Sequence, residues 1–193
     1  LQTAALQANP PHLILAGPSG VGKTAAWRLV ARQILGPSWE STTHILQARD
    51  LARQSGAMQT FEDFLRPEGK TSSDTLVGRA SLDSFDANLT IAKEGDIAPA
   101  GIENRDLHSE GNPPVSRIII IEDADHLGPK RQPYLRRMME TSSSTSRFIF
   151  TARSPSRIID ALRSRTQQIR IPSTDKEIII NRLNEIVEDE DLA

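Results

Sequence analysis

Cysteine is absent from this sequence of 193 residues, which excludes disulfide bonds and metal sites built on thiolates. The four histidines are scattered without the spacing of metal ligands, and we interpret them as ordinary surface or core residues. No apolar run approaches the roughly 20 residues that a membrane-spanning helix needs. We therefore expect an intracellular protein with no membrane partner.

The sequence also lacks an excess of charge of either sign, since it has 23 Lys and Arg residues and 25 Asp and Glu residues. The net charge of −2 argues neither for nor against a polyanionic partner, so any such contact needs a local basic patch. The length allows one α/β domain and the start of a second. The chain begins with Leu1 and quickly enters an apolar segment, which favours a fragment of a longer protein.

Short apolar segments alternate with helical patterns along most of the chain. The predicted strands lie at 12–17, 43–48, 116–125, 147–152 and 167–172. The predicted helices lie at 23–35, 60–66, 133–141 and 155–166, followed by one that opens at the capping-box pattern of Thr174 and Glu177. The strands are apolar throughout rather than alternating with polar residues. This pattern is typical of a parallel, doubly wound sheet with helices on both faces.

Two of the predicted helices carry more detailed expectations. In the helix at 23–35, the apolar pattern predicts an inward face formed by Ala25, Ala26, Leu29, Val30, Ile34 and Leu35. Gly36 and Pro37 should end this helix, as a glycine followed by proline commonly does. In the helix at 133–141, Pro133 fits the first turn, where its missing N–H is not needed.

The segment 67–114 interrupts the alternation, because it is rich in Gly, Ser, Asp, Asn and Glu and poor in apolar runs. A stretch of this length without a regular pattern is unusual inside a compact domain. We interpret it as a flexible surface insertion, with a partner-binding insert as the alternative.

The segment "GPSGVGKT" matches the phosphate-loop pattern G-x-x-x-x-G-K-[ST] in full. It follows a predicted strand and opens a predicted helix, which is the context that the pattern requires. Glycines let backbone N–H groups converge on phosphate oxygens, Lys23 places a cation on the β and γ phosphates, and Thr24 offers a hydroxyl to Mg²⁺. A plain turn before a helix is the alternative that this context disfavours. The predicted nucleotide-binding residues are Gly17, Pro18, Ser19, Gly20, Val21, Gly22, Lys23 and Thr24.

The segment "IIIIEDAD" places Glu122, Asp123 and Asp125 at the end of a buried strand. In an open parallel sheet, that edge faces the same crevice as the phosphate loop. Mg²⁺ needs a carboxylate there, and hydrolysis needs a second carboxylate to orient the attacking water. Two adjacent acids supply both roles, and solvated turn residues are the alternative interpretation.

Several segments follow one another in a specific order: "PHLILAGPSGVGKT", "IIIIEDADHL", "LRRMMET", "TSRFIF" and "SRIIDALRSRTQQIRIP". In order and spacing they resemble a clamp-loader ATPase of the replication factor C small-subunit type, within the AAA+ group. The likeness covers most of the chain outside 67–114. The phosphate loop alone also occurs in guanylate-kinase-like enzymes, but those lack the paired acids and the Arg-Ser-Arg element.

The resemblance implies ATP and Mg²⁺ as cofactors, with Thr24 and Glu122 on the metal and Asp123 positioning the attacking water. The family order of these acids is Asp then Glu, whereas this chain has Glu then Asp. The exchange moves each carboxylate by about one methylene, and positioning dominates phosphoryl-transfer catalysis. We therefore expect ATP binding, with doubtful hydrolysis at this chain's own site.

The resemblance also assigns roles to two arginines. The family has a polar sensor, usually Asn, at the position of Arg153, and Thr151 is the nearby polar substitute. Arg153 can contact a γ-phosphate but cannot accept a hydrogen bond from water. Arg165 corresponds to the arginine that acts in trans on the nucleotide of the neighbouring subunit. A solvated helix end, where cations are favoured, is the alternative for Arg165.

The segment "KRQPYLRRMME" gathers four cations, Lys130, Arg131, Arg136 and Arg137. In the resembling proteins this region lines the spiral that holds primer–template DNA, through phosphate contacts without sequence readout. A solvated basic helix is the alternative, and one of the arginines can equally serve an intersubunit contact.

Taken together, the resemblance implies a nucleotide-binding core at 1–172 and the start of a helical lid at 173–193. It implies other clamp-loader subunits and a sliding clamp as partners. It also implies a location in the cytoplasm (nucleoid) of a prokaryote or the nucleus of a eukaryote. The expected function is that of an ATP-binding subunit that helps to load the processivity clamp onto primed DNA during replication. Two alternatives remain open: a scaffold subunit that binds ATP with weak or no hydrolysis, and a P-loop nucleotide kinase.

Overall fold

The structure of the protein, a computed structural model, describes residues 1–5, 7, 9–65, 115–142 and 145–189. The predicted insertion at 67–114 lies outside the described residues. Within the described ranges, no helix has both the length and the apolar character that crossing a bilayer requires.

Strands and helices alternate along the described chain, as predicted. The strands are β1 (His12–Ala16), β2 (Thr43–Gln47), β3 (Arg117–Glu122), β4 (Ser146–Ala152) and β5 (Thr166–Arg170). The helices are α1 (Gln2–Ala5), α2 (Lys23–Leu35), α3 (Trp39–Thr42), α4 (Ala48–Leu51), α5 (Ala57–Leu65), α6 (Gly128–Ser142), α7 (Asp160–Arg163) and α8 (Lys176–Asp189). Short 3₁₀ turns lie at Gly36–Ser38, Ala124–His126 and Pro155–Arg157.

The strands form one sheet in the order β2-β3-β4-β1-β5, and every neighbouring pair is parallel. The carboxyl ends of all the strands therefore meet at one edge of the sheet, and their amino ends meet at the other. Parallel neighbours need crossover connections, and helices usually provide them. The predicted doubly wound parallel sheet is confirmed.

Successive residues of β1 face opposite sides of the sheet, and each side has its own apolar core. Leu13 and Leu15 pack in a cluster with Trp27 of α2, whereas Ile14 and Ala16 belong to a cluster that includes Leu135 of α6. The adjacent strands β1, β3 and β4 are buried along most of their length and are largely apolar, as expected for strands that are covered on both faces. The edge strand β5 is mostly exposed and carries two glutamines and an arginine, so the predicted apolar pattern does not hold there.

The inward face of α2 differs from the prediction. The residues that are buried are Trp27, Val30, Ala31 and Leu35. Leu29 is 51% exposed, and Ala25 is exposed as well, so the prediction for these two residues was wrong. The positions 27, 30 and 31 form a stripe with helical spacing, and at 100° per residue Ala25 and Leu29 fall on the opposite side. The helix ends at Leu35, as predicted.

Two helix boundaries were also predicted wrongly. Helix α6 begins at Gly128, so Pro129 rather than Pro133 lies in its first turn, and Pro133 lies inside the helix. The predicted helix at 155–166 is broken into a 3₁₀ turn and the short α7. The buried amide of Gln132 explains the break, because it donates to the carbonyl of Arg157 at 3.0 Å and accepts from the Ile159 N–H at 2.7 Å. A side chain thus replaces the helical partners of these backbone groups.

Buried polar side chains hold the amino edge of the sheet together. His12 accepts a hydrogen bond on Nδ1 from the Phe148 N–H at 3.0 Å, which requires a neutral ring nitrogen. Burial, and secondly the charge of Arg147, lower the pKa of His12 from 6.5 to about 4. Arg147 is 5% exposed and donates to the carbonyls of Pro10 and Ser146. Burial lowers the pKa of Arg147 as well.

Helix α8 follows β5 with its apolar side chains exposed. These exposed residues are Ile178, Ile179, Ile180, Leu183, Ile186 and Val187. The predicted amphipathic helix therefore exists, and its assignment to the start of a helical lid at 173–193 stays a prediction.

Candidate nucleotide-binding site

The predicted phosphate loop connects β1 to α2 in a conformation that only glycine adopts easily. Gly22 precedes α2 with φ of 88°, in the left-handed region. A Cβ on Gly17 would lie 2.2 Å from the carbonyl oxygen of Ile171, so the loop packs directly against the backbone that follows β5. The Nζ atom of Lys23 donates to the carbonyls of Gly17 and Pro18 across the loop. The sequence therefore shapes a closed turn at the head of a 13-residue helix.

A cleft of about 430 Å³ lies at the carboxyl edge of the sheet, over this loop. Its lining residues are Ser19, Gly20, Gly22, Lys23, Thr24, Gln47, Glu122, Asp123 and Thr151. The structure thus brings the loop and the paired acids together, as the sequence predicted. Gly17, Pro18 and Val21 belong to the loop without lining the cleft.

Glu122 is the hub of the hydrogen bonds in this cleft. Its Oε1 accepts from the Thr24 hydroxyl at 3.1 Å and from the Trp27 indole N–H at 2.9 Å. Its Oε2 accepts from the side-chain amide of Gln47, the residue directly beside it in the β2–β3 register. The carboxylate is therefore held by donors from a helix on one side and a neighbouring strand on the other.

The side-chain oxygens of Thr24 and Glu122 together form a donor set that suits a metal ion. Hydroxyl and carboxylate oxygens are the ligands that Mg²⁺ prefers, commonly one or two from the protein with the rest from water and phosphates. The hydroxyl and the carboxylate already lie within hydrogen-bond distance of each other. The residues present fit this ion.

Asp123 lies one residue beyond β3 in an unusual backbone conformation. Its φ of 51° is in the left-handed region, which aspartate tolerates better than most residues. Its backbone N–H donates to Thr151 Oγ1 at 3.1 Å, which ties the turn to the end of β4. Its carboxylate Oδ2 lies 3.3 Å from Arg49 Nε, forming an ion pair with a cation from α4. The second acid of the pair therefore has a cation of the same chain beside one of its carboxylate oxygens.

The two arginines assigned from the resemblance lie in different places. Arg153 follows β4 and is exposed, and Thr151 rather than Arg153 lines the cleft. Arg165 immediately precedes β5, so it lies at the amino edge, and a five-residue strand spans roughly 16 Å. Its Nη2 donates to Glu140 Oε1 at 2.7 Å. Arg165 therefore lies far from the cleft of its own chain.

The four predicted DNA-contact cations lie on α6 with different surroundings. Arg131 donates from Nη1 to the carbonyl of Leu127 at 3.0 Å, and Arg136 Nε lies 3.4 Å from Glu140 Oε1. Arg136 is nevertheless 49% exposed, and Lys130 and Arg137 are exposed two helical turns apart on one side of the helix. The structure thus gives an exposed basic face to only part of the predicted set.

Gln47, Arg49 and Trp27 are the site residues that the sequence analysis missed. Gln47 lies next to the last residue of the strand predicted at 43–48, so the rule that parallel strands present their carboxyl ends at one edge offered a signal for it. Nothing in the sequence pattern pointed to Arg49, since its role depends on the backbone turn at Asp123. Trp27 was not among the predicted inward residues of the helix at 23–35, and its N–H partner depends on the tertiary fold.

Comparison with known proteins adds a family to this geometry. The family described as ATPase family associated with various cellular activities (AAA) matches residues 13–173. A weak likeness to a solved structure, the Holliday junction branch migration motor RuvB of Thermotoga maritima, has a TM-score of 0.46 at 14% identity. That likeness covers 90% of this chain and 41% of the other, and a TM-score this low supports no conclusion about this chain.

Curated relatives carry the replication factor C name. Replication factor C subunit 2 of Phaeosphaeria nodorum is 31% identical over 95% of this chain and 41% of its own length. The replication factor C small subunit of Staphylothermus marinus is 29% identical over 94% of this chain and 43% of its own length. Subunit 2 of Saccharomyces cerevisiae is 29% identical over 96% of this chain and 44% of its own length.

This chain thus spans less than half the length of these relatives. The resemblance to replication factor C small subunits that the sequence predicted is confirmed by them. The family match extends over most of the chain. It includes the phosphate loop, the paired acids and, apart from His12, every strand that the structure describes. The chain therefore belongs to the AAA family of ATPases.

Proposed function

We propose that this chain is the nucleotide-binding core of a sliding-clamp loader subunit, which uses ATP to help place a clamp on primed DNA. The observation that carries the proposal is the meeting of Lys23, Thr24, Glu122 and Asp123 in one cleft at the carboxyl edge of the sheet. The similarity to replication factor C subunits supports the choice of a clamp loader among AAA proteins.

In its own cleft, the chain would bind the phosphates of ATP with the loop amides, the ammonium of Lys23 and the amino end of α2. Thr24 and Glu122 would hold Mg²⁺, which when bound neutralises charge on the phosphate oxygens. Trp27 and Gln47 hold the Glu122 carboxylate beside Thr24, so this part of the site is ordered by the protein itself.

Own-site hydrolysis needs a carboxylate that is available to orient a water molecule, and Asp123 is the candidate. Its ion pair with Arg49 at 3.3 Å opposes this role, because a paired carboxylate is a poorer acceptor for water. This contact favours a second candidate function, that of a subunit that binds ATP and hydrolyses it weakly or not at all. A P-loop nucleotide kinase has no such specific observation in its favour.

Arg165 would serve the nucleotide of a neighbouring subunit. Its place at the amino edge, about one strand length from its own cleft, supports a role in trans. Lys130 and Arg137 would contact DNA phosphates, and Arg153 would contact a γ-phosphate if a rearrangement brings it to the cleft. Other clamp-loader subunits, a sliding clamp and primer–template DNA are the proposed partners.

A pull-down with a ring-shaped sliding clamp tests the proposal. The full protein, together with its partner subunits, should retain the clamp in the presence of ATP and release it in the presence of ADP. The Lys23→Ala variant should retain less clamp in ATP, because its subunit no longer binds nucleotide. Retention that is equal with ATP, with ADP and without nucleotide would contradict the proposal.

A further inference from the structure

Trp27 combines deep burial with a polar contact at the edge of the cleft. Its side chain is 1% exposed and packs in the same cluster as Leu13 and Leu15. Its indole N–H nevertheless reaches Glu122 Oε1 at 2.9 Å. A buried N–H without an acceptor is unfavourable, so the Glu122 carboxylate and the Trp27 indole satisfy each other.

We propose that Trp27 is a positioning residue for Glu122, with its indole N–H keeping Glu122 Oε1 against the Thr24 hydroxyl. The inference rests on the proposed function, in which Thr24 and Glu122 hold Mg²⁺. Trp27 would contact neither the nucleotide nor the metal, and yet it would determine how tightly Thr24 and Glu122 bind Mg²⁺. Partners of metal ligands commonly act in this way.

The geometry explains why such a residue is needed here. Glu122 occupies a position where the resembling family has the shorter aspartate, and the extra methylene gives its carboxylate more freedom. Thr24 and Trp27 are three residues apart on one helix, so their donors lie on the same side. Both bond to Oε1, while Gln47 bonds to Oε2 from the neighbouring strand. These three hydrogen bonds hold the Glu122 side chain in a single orientation.

Calorimetry on the full protein tests the role of Trp27 without relying on turnover. A non-hydrolysable ATP analogue is titrated with Mg²⁺ present and again with a chelator, and the ratio of the two dissociation constants gives the benefit from magnesium. In Trp27→Phe this ratio should fall about tenfold, while the magnesium-free affinity stays unchanged. Trp39→Phe is the matched control, since Trp39 stacks under Arg32 outside the cleft and should leave the ratio unchanged.

A second replacement guards against a loss of folding in Trp27→Phe. Benzothienylalanine in place of Trp27 keeps the shape of the indole and replaces its N–H with sulfur, so it should lower the ratio by a similar factor. An unchanged ratio with benzothienylalanine would overturn the inference. If the unaltered protein shows no magnesium-dependent binding, the proposed function fails instead, so the two failures are distinguishable.

Discussion

The two edges of the parallel sheet differ in what their polar side chains bind. At the carboxyl edge, side chains bond to one another in an open cleft, with Thr24 and Trp27 both donating to Glu122. At the amino edge, His12 and Arg147 are largely buried and bond mainly to backbone groups. The hydrogen bonds in the open cleft can be exchanged for bonds to a ligand, whereas the buried bonds at the amino edge stabilise the folded chain. The carboxyl edge of the sheet thus serves binding, and the buried contacts at its amino edge serve stability.

The largest expected effect comes from the exposed arginine at the amino edge. In the proposed assembly, Arg165→Ala should lower ATP hydrolysis at the neighbouring subunit's site by about 10³-fold, as loss of a trans-acting arginine does in related enzymes. The nucleotide affinity of this chain's own cleft should not change, because Arg165 lies about one strand length away. Steady-state hydrolysis by the assembly and calorimetry on the isolated protein measure the two quantities.

Arg163→Ala is the matched control, since Arg163 lies two residues away and pairs with Asp160 on the same short helix. It should leave hydrolysis near the level of the unaltered protein. Equal losses in the two variants would contradict a specific role for Arg165 and would assign the effect to α7 as a whole.

The next effect concerns the carboxyl edge. Lys23→Ala should weaken ATP binding by about 100-fold, because a charge-assisted hydrogen bond to phosphate is lost. Calorimetry measures the affinity, and thermal unfolding should show little change. Lys176→Ala, an exposed lysine at the start of α8, is the control and should bind ATP normally. Unchanged ATP affinity in Lys23→Ala would mean that the phosphates do not bind at the loop from Gly17 to Thr24.

A smaller effect, on stability, should appear at the amino edge when the pH is lowered. The pKa of His12 is about 4 in the folded protein against an ordinary 6.5, so between these values the unfolded chain binds more protons. The contribution of His12 is complete above pH 6.5 and is lost as the pH falls toward 4. From pH 7 to pH 5, the free energy of unfolding should drop by about 2 kcal/mol from this group.

Urea unfolding at the two pH values measures this drop. His12→Asn keeps an oxygen acceptor for the Phe148 N–H and removes the titration, so its unfolding free energy should depend less on pH in this window. An identical pH dependence in the variant and the unaltered protein would rule out His12 as the cause. Nucleotide affinity at the carboxyl edge should be the same in both proteins at pH 7.

The smallest expected effect is that of the ion pair beside Arg165. Glu140→Gln should change the free energy of unfolding by less than about 1 kcal/mol, because exposed ion pairs contribute little. The side chains of Arg165 and Glu140 are 39% and 41% exposed to solvent. Urea unfolding measures the change in the free energy of unfolding. A decrease several times larger would mean that this ion pair, like the buried contacts of Arg147, stabilises the fold.

The sheet could be predicted from the sequence because its signals are local. Most strands are short apolar runs bounded by turn residues, and the loop from Gly17 to Thr24 matches a pattern with a required context. The parallel arrangement followed from those runs, and it placed the paired acids at the same crevice as the loop. These predictions needed only the residue order and the rule about strand ends.

The errors arose where tertiary contacts decide. The break between Pro155 and Arg163 depends on Gln132, which lies more than 20 residues earlier and satisfies the backbone there. Leu29 fits the apolar pattern of α2, but the helix turns Trp27 toward the sheet instead. The partners of Glu122 and Asp123 were missed as well. The rule about strand ends offered a signal for Gln47, but the contact of Arg49 with Asp123 depends on the turn after β3 and on the helix after β2.

Calorimetric titration of the full protein with ATP, with and without Mg²⁺, shows whether the cleft binds a magnesium–nucleotide complex through Glu122. We expect one nucleotide per chain, tighter binding with Mg²⁺ than with a chelator, and loss of that difference when Glu122 is replaced by alanine. Absence of any nucleotide binding, or binding that Mg²⁺ and Glu122→Ala leave unchanged, would contradict this expectation.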